Sequence, residues 1–256
     1  MRLLVSVTCA DEAVEAVGGG AHIIDAKDPS AGALGAVHLE SFRAIRGAVP
    51  NDAVLSAALG DAAGLAETER LAEEFASLGA RFVKIGFAGV VEAGRVAKLM
   101  ESAVRGCQRG ASTAGVIAVA YADASRVCAL NARALVQVAC DAGAHGALVD
   151  TADKTGPGLT ALWGMTQLAD WVAMVHEHGM VASVEGKLSL DDIDLVRDTG
   201  ADIAGVRGAA CVGGRLGRVS SARVRELGSR AVVIPSAVRN PCSLYREAKD
   251  SSLRSE

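Results

Sequence analysis

Two lysines interrupt runs of residues that are otherwise suited to burial. Lys27 closes AHIIDAK (21–27), two positions after Asp25, and Lys84 stands inside RFVKI (81–85). An ammonium group is strongly hydrated, so placing one in an apolar run costs free energy unless a partner or a reaction requires it there. Desolvation and a neighbouring cation both loosen an amine's hold on its proton, and a free amine can attack a carbonyl carbon or accept a proton. Two lysines with carboxylates in reach are the parts needed for imine formation and enolisation. A third run, HGALVD, ends on Asp150, with Lys154 four residues on; two others end on Glu185 and Arg207. Any one such charge reads equally well as half of an ion pair closing one end of the fold. Lysines embedded within the runs favour chemistry.

A second group suits an anion. The run ending at Glu185 leads into EGKLS, and the one ending at Arg207 leads into GVRGAACVGGR. Backbone N–H groups in glycine-bearing loops, with a helix N-terminus and a cation nearby, make a phosphate site. Gly186, Arg207 and Gly208 are the candidate phosphate-binding residues, and a small phosphorylated carbonyl compound is the expected substrate.

The elements that must position these residues follow from a recurring phrase: an amphipathic stretch, a glycine, then a short apolar run ending in a polar residue. It appears as GGGAHIIDAK, LGARFVKIG, DAGAHGALVD, HGMVASVEG and TGADIAGVRG. Glycine just past a helix C-terminus accepts a left-handed backbone without strain, so each phrase marks a helix-to-strand joint. Eight runs qualify as strands: 2–7, 21–27, 53–59, 81–85, 115–121, 145–150, 180–185 and 202–207. Helical periodicity falls between them, for example over 67–78, 92–105 and 164–178. Eight βα units predict a (β/α)8 TIM barrel as a single domain, with functional residues at the C-terminal ends of the strands. An open doubly wound sheet is the rival, but no G-x-G-x-x-G follows the first strand, and GGG at 18–20 precedes a strand.

Alternation along the strands puts Asp25 and Lys27 on one face with Ile24 and Ala26 on the other, and likewise Phe82 and Lys84 against Val83 and Ile85. With Asp25 at its i−2 position, Lys27 is the expected imine former. Lys84 has Phe82 there and is the expected acid or base. His22, near the start of its strand, reads as structural.

Composition narrows the rest. The chain of 256 residues is 50% hydrophobic and 22% charged with a net charge of −4, which supports one large core and gives no basic footprint for nucleic acid. Six scattered cysteines form no C-x-x-C pair, and there is no H-x-x-H, H-E-x-x-H or G-x-S-x-G. Reduced thiols, no metal, no membrane partner and a cytoplasmic location are the expectations. The barrel domain is read as 1–228. Residues 229–256 are read as a C-terminal extension, or less favourably as a segment covering another copy in a homo-oligomer.

The stretches LLVSV, GGGAHIIDAKDPSAGALGA, VKIGFAG, AYADASR, LVDTADK and GVRGAAC, in this order up to about residue 228, resemble the (5-formylfuran-3-yl)methyl phosphate synthase family. The resemblance implies a TIM-barrel lyase that condenses two molecules of glyceraldehyde 3-phosphate into the phosphorylated furan aldehyde used for methanofuran, releasing phosphate and water, without an organic cofactor. It implies Lys27 as the Schiff-base residue and Lys84 in proton transfer, supported by Asp25, Asp150 and Lys154. The residues alone leave two alternatives open: a class I aldolase or transaldolase acting on a sugar phosphate, and a barrel that only binds a phosphorylated metabolite.

Overall fold

The computed structural model describes residues 1–61 and 63–231. Eight strands, β1 (Arg2–Val7), β2 (Ile23–Ala26), β3 (Val54–Asp61), β4 (Ala80–Gly86), β5 (Gly115–Tyr121), β6 (Gly146–Asp150), β7 (Val181–Val184) and β8 (Ile203–Val206), pair in parallel in sequence order and close when β8 meets β1. Helices α1 (Ala10–Gly18), α2 (Leu39–Ala48), α3 (Leu65–Ser77), α4 (Ala93–Gly110) and α5 (Ala132–Asp141) follow the first strands. A short α6 (Leu159–Leu162) precedes α7 (Met165–Glu177), and α8 (Leu190–Asp198) and α9 (Ser221–Ala231) follow β7 and β8. This is the predicted TIM barrel, with strand bounds within two residues of expectation. The closed sheet removes the doubly wound alternative.

The joints behave as their glycines require. Gly20, Gly79, Gly143, Gly179 and Gly200 all have φ between 69° and 94°, the left-handed region where a side chain would be strained.

Alternation divides the core into two. Outward residues such as Leu3, Val5, Ile24, Ala26, Val83 and Ile85 join the helices in the larger cluster. Leu4, Ile23, Phe82, Ile117, Val119, Leu148 and Ile203 fill the barrel's interior. The expected parity therefore holds on β2 and β4. Above this apolar filling lies a polar layer in which Ser6, Asp25 and Ser56 stand side by side in register on β1, β2 and β3. His22 accepts the Leu3 N–H on Nδ1 at 3.1 Å, a structural use at the opposite end of the barrel.

Two features were not anticipated. The loop after β8 carries a small antiparallel ribbon, β9 (Cys211–Val212) with β10 (Arg218–Val219). The last helix runs through the expected domain boundary at 228 and ends on Ala231, which is buried. Residues 232–256, most of the expected extension, lie outside the described residues. No helix among the described residues is long and apolar enough to cross a membrane.

Candidate active site

The C-terminal mouth of the barrel gathers charged side chains from β2, β4, β6 and β7. Asp25 is fully buried and held from both sides: Ser6 Oγ donates to Oδ2 and Ser56 Oγ to Oδ1, each at 2.9 Å. Lys84 Nζ donates to Asp25 Oδ2 at 2.6 Å and to Glu185 Oε1 at 3.2 Å. Lys27 Nζ donates to the other oxygen, Glu185 Oε2, at 3.2 Å. Lys154 Nζ donates to Asp150 Oδ1 at 2.5 Å. The loop that carries Lys154 is pinned by Asp123, which accepts the N–H groups of Ala152 and Asp153 at 2.8 Å each.

The pairing differs from the expected one in one respect. Asp25, two residues before Lys27 on the same strand, serves Lys84 across the β3 register; the carboxylate on Lys27 is Glu185, from the far side of the closed barrel. An i−2 neighbour on a strand shares a face but lies a full pleat away, whereas closure brings β2, β4 and β7 side chains to a common centre.

The electrostatics separate the lysines. Burial alone pushes Lys84 down, but the charges and hydrogen bonds of Asp25 and Glu185 outweigh it and hold its pKa above the ordinary lysine value. Lys154 is shifted the other way: burial lowers its pKa, Asp150 opposes, and the Lys27 charge adds to the lowering. Glu185 is pushed up by burial, yet Lys27 and Lys84 outweigh that and keep it below the usual carboxylate range.

A cavity of about 510 Å³ opens over this cluster, and Lys27, Glu185, Asp150, Lys154 and Ser6 line it. Lys84 and Asp25 do not; they lie beneath that layer. Asp150 Oδ2 is buried and has no hydrogen-bond partner among the described residues, which leaves one acceptor free beside the cavity. The far wall is the β7 loop, Gly186 to Leu190, and the β8 loop from Arg207. Ser189 fixes the first by a capping box with Asp192 at the start of α8, and Lys187 donates to the Gly156 carbonyl.

Gly186 and Gly208 lie on this wall as expected. Arg207 lies there too, with its guanidinium engaged by the protein. All five of its N–H donors are taken: Nε by the Arg215 carbonyl, Nη1 by the Ser6 carbonyl and Glu12 Oε2, and Nη2 by Glu12 Oε1 and the Gly217 carbonyl. It fastens the β8 loop to β1 and α1. One cation with capacity to spare on this wall is Arg215, which holds the β2 loop through the Gly32 carbonyl at 2.7 Å, more weakly the Pro29 carbonyl, by Nη2 alone. Sequence reasoning passed over Arg215 and left Glu185 among the unassigned strand-end charges.

A closed (β/α)8 barrel with three lysines and three carboxylates packed at its C-terminal mouth defines the chain as a TIM barrel built for enzymatic chemistry. Solved structures similar in fold include 3-hexulose-6-phosphate synthase, with TM-score 0.61 and 20% identity over 91% of this chain and 100% of that one. KGPDC from Streptococcus mutans is also similar, with TM-score 0.63 and 17% identity over 90% and 96%. The family model described as 4-HFC-P synthase matches residues 3–228, and the chain belongs to that family. Its relatives include the (5-formylfuran-3-yl)methyl phosphate synthase of Methanopyrus kandleri, 39% identical over 229 residues, covering 88% of this chain and 97% of the relative. The protein of the same name from Methanocaldococcus jannaschii is 38% identical over 230 residues, covering 89% and 98%.

Proposed function

We propose that the protein makes (5-formylfuran-3-yl)methyl phosphate from two molecules of glyceraldehyde 3-phosphate, with loss of one phosphate and two waters, as a step toward methanofuran. The names of the relatives support the product, and the arrangement of the lysines supports the route. The observation that carries the route is that Lys27 faces the cavity while Lys84 lies beneath it, gripped by two carboxylates. Lys27 is then the nucleophile that forms an imine with one triose phosphate. An imine draws electrons from the adjacent carbon, so that carbon loses a proton more readily and can attack the second aldehyde. Lys84, held charged, acts as the proton donor to the cluster, and the free oxygen of Asp150 with Lys154 accepts protons or substrate hydroxyls. The amides around Gly186 and Gly208, with Arg215, are the proposed phosphate contacts.

The test is incubation of the purified protein with glyceraldehyde 3-phosphate alone. Release of phosphate together with new ultraviolet absorbance from the aromatic furan is the expected result. Reversible carbon–carbon bond formation without phosphate release would instead mark an aldolase.

A further inference from the structure

Imine formation from a lysine ammonium moves two protons. R–NH3⁺ and O=C become R–NH⁺=C and H2O, so both protons leave nitrogen for the oxygen that departs, and the charge at nitrogen is unchanged. A group beside the nitrogen must accept and return them. Lys84, the lysine assigned to proton transfer, does not line the cavity that Lys27 faces, and neither does Asp25.

Glu185 touches both sides of that division. It lines the cavity, receives Lys27 on Oε2 and receives Lys84 on Oε1, both at 3.2 Å. Ser6 offers a more indirect link, from the cavity to Asp25. A second observation, independent of these hydrogen bonds, concerns β8. A Cβ on Gly205 would stand 2.4 Å from Glu185 Cγ and 2.6 Å from Cδ, so the glycine vacates the volume that the Glu185 side chain fills. The charged groups facing Glu185 are Lys27 and Asp25 from β2, Lys84 from β4, Asp150 from β6, Lys154 from the loop after it, and Arg215 from the β8 loop.

Resting on the imine reading above, we propose that Glu185 is the proton relay of the site, joining Lys27 to the otherwise enclosed Lys84, and that Gly205 exists to seat it. The Glu185 carboxylate takes a proton from the Lys27 nitrogen, whose lone pair then forms the C–N bond while the carbonyl π pair moves to oxygen. Glu185 returns that proton to the oxygen. It carries a second one likewise as the C–O bond breaks with its electron pair, C=N forms and water leaves. Lys84 on Oε1 keeps the carboxylate ionised between transfers, so its influence on the cavity passes through Glu185.

The experiment measures how fast the full-length protein gains mass with glyceraldehyde 3-phosphate and cyanoborohydride, by intact-protein mass spectrometry, between roughly pH 6 and 9. Glu185→Gln should trap on the order of 10²-fold more slowly than wild type at neutral pH. Added acetate or rising pH should restore much of the rate, because external bases replace the relay. Glu185→Asp, which keeps the charge but is one methylene shorter, should fall between. Wild-type rate and pH profile in folded Glu185→Gln overturn the relay, and so does a loss that neither acetate nor pH restores, the mark of a purely structural role. Should Glu185→Gln fail to fold, Glu185→Asp and Gly205→Ala decide by the same readout: acetate-restored slowing supports the relay and wild-type trapping in both overturns it. Absence of any adduct in wild type overturns the imine reading and the relay with it, whereas an adduct unchanged across the variants overturns the relay alone.

Discussion

Removing the Arg207 guanidinium should cost the fold more than it costs substrate binding. Its partner Glu12 sits in the first turn of α1 with 8% of its side chain exposed against 5% for Arg207. Thr8 also donates to Glu12, from N at 2.8 Å and Oγ1 at 2.9 Å, so the carboxylate cannot swing out without breaking those bonds as well. Arg207→Ala therefore strands a buried anion, a change that costs about 3–5 kcal/mol. The freed carbonyls of Arg215 and Gly217 lie in partly buried positions where water can replace the guanidinium and add little, whereas the Ser6 carbonyl is buried and its lost partner adds to the cost. At about 2–4 °C per kcal/mol for a domain of this size, the midpoint of thermal unfolding should fall by roughly 6–20 °C. Urea unfolding followed by circular dichroism measures the loss directly. The double variant Arg207→Ala with Glu12→Gln should recover part of it, because the stranded charge is gone. An unchanged unfolding midpoint with a raised KM would refute this reasoning and return the guanidinium to the substrate.

Further outcomes follow from the same geometry. Borohydride with substrate should add mass to wild type and to Lys84→Ala but not to Lys27→Ala, while both variants lose furan formation; an adduct that disappears with Lys84 and survives without Lys27 would reverse the two roles. Burial raises the Glu12 pKa, but the Arg207 and Thr8 contacts outweigh it and hold it below its unfolded value of 4.5. Its stabilising contribution is therefore complete above that value and is lost as pH falls through the folded-state pKa, so Glu12→Gln should flatten the acid limb of a stability–pH curve. Removal of residues 240–256 should leave the unfolding temperature and turnover near wild type, since the family match ends at residue 228; a large fall in either would count against that boundary.

What could be read from the sequence was whatever repeats or alternates along it. The five helix-to-strand glycines announced the joints, and the parity of AHIIDAK and RFVKI placed Lys27 and Lys84 inside the barrel with Ile24, Ala26, Val83 and Ile85 outside. Relations across the closed barrel could not be read in the same way. Glu12 meets Arg207 at a separation of 195 residues because β8 closes on β1 and brings the α1 entrance beside the β8 loop. Asp25 meets Lys84 because β3, between them, places the small Ser56 and Ala58 at their level of the interior.

One of these relations nevertheless had a sequence-level signal in its charges. The candidate site drawn from sequence held three lysines, Lys27, Lys84 and Lys154, against two carboxylates, Asp25 and Asp150. Buried charges are tolerated when paired, and an unpaired ammonium enclosed in a barrel would shed its proton or resist burial. A site of that composition lacks one anion. Two further strand-end carboxylates have inward parity, Asp123 and Glu185; Asp123 is taken up by the Ala152 and Asp153 N–H groups, and Glu185, which reaches Lys27 and Lys84, brings the lysine cluster to three of each sign. Conversion of the Lys27 ammonium to a protonated imine leaves that balance untouched, so the cluster that stabilises the resting enzyme also accommodates the proposed intermediate. A free amine at Lys27 whose proton has left the cluster unbalances it by a full charge. That imbalance is the electrostatic reason for a carboxylate beside Lys27 that can hold the displaced proton and return it within the same step.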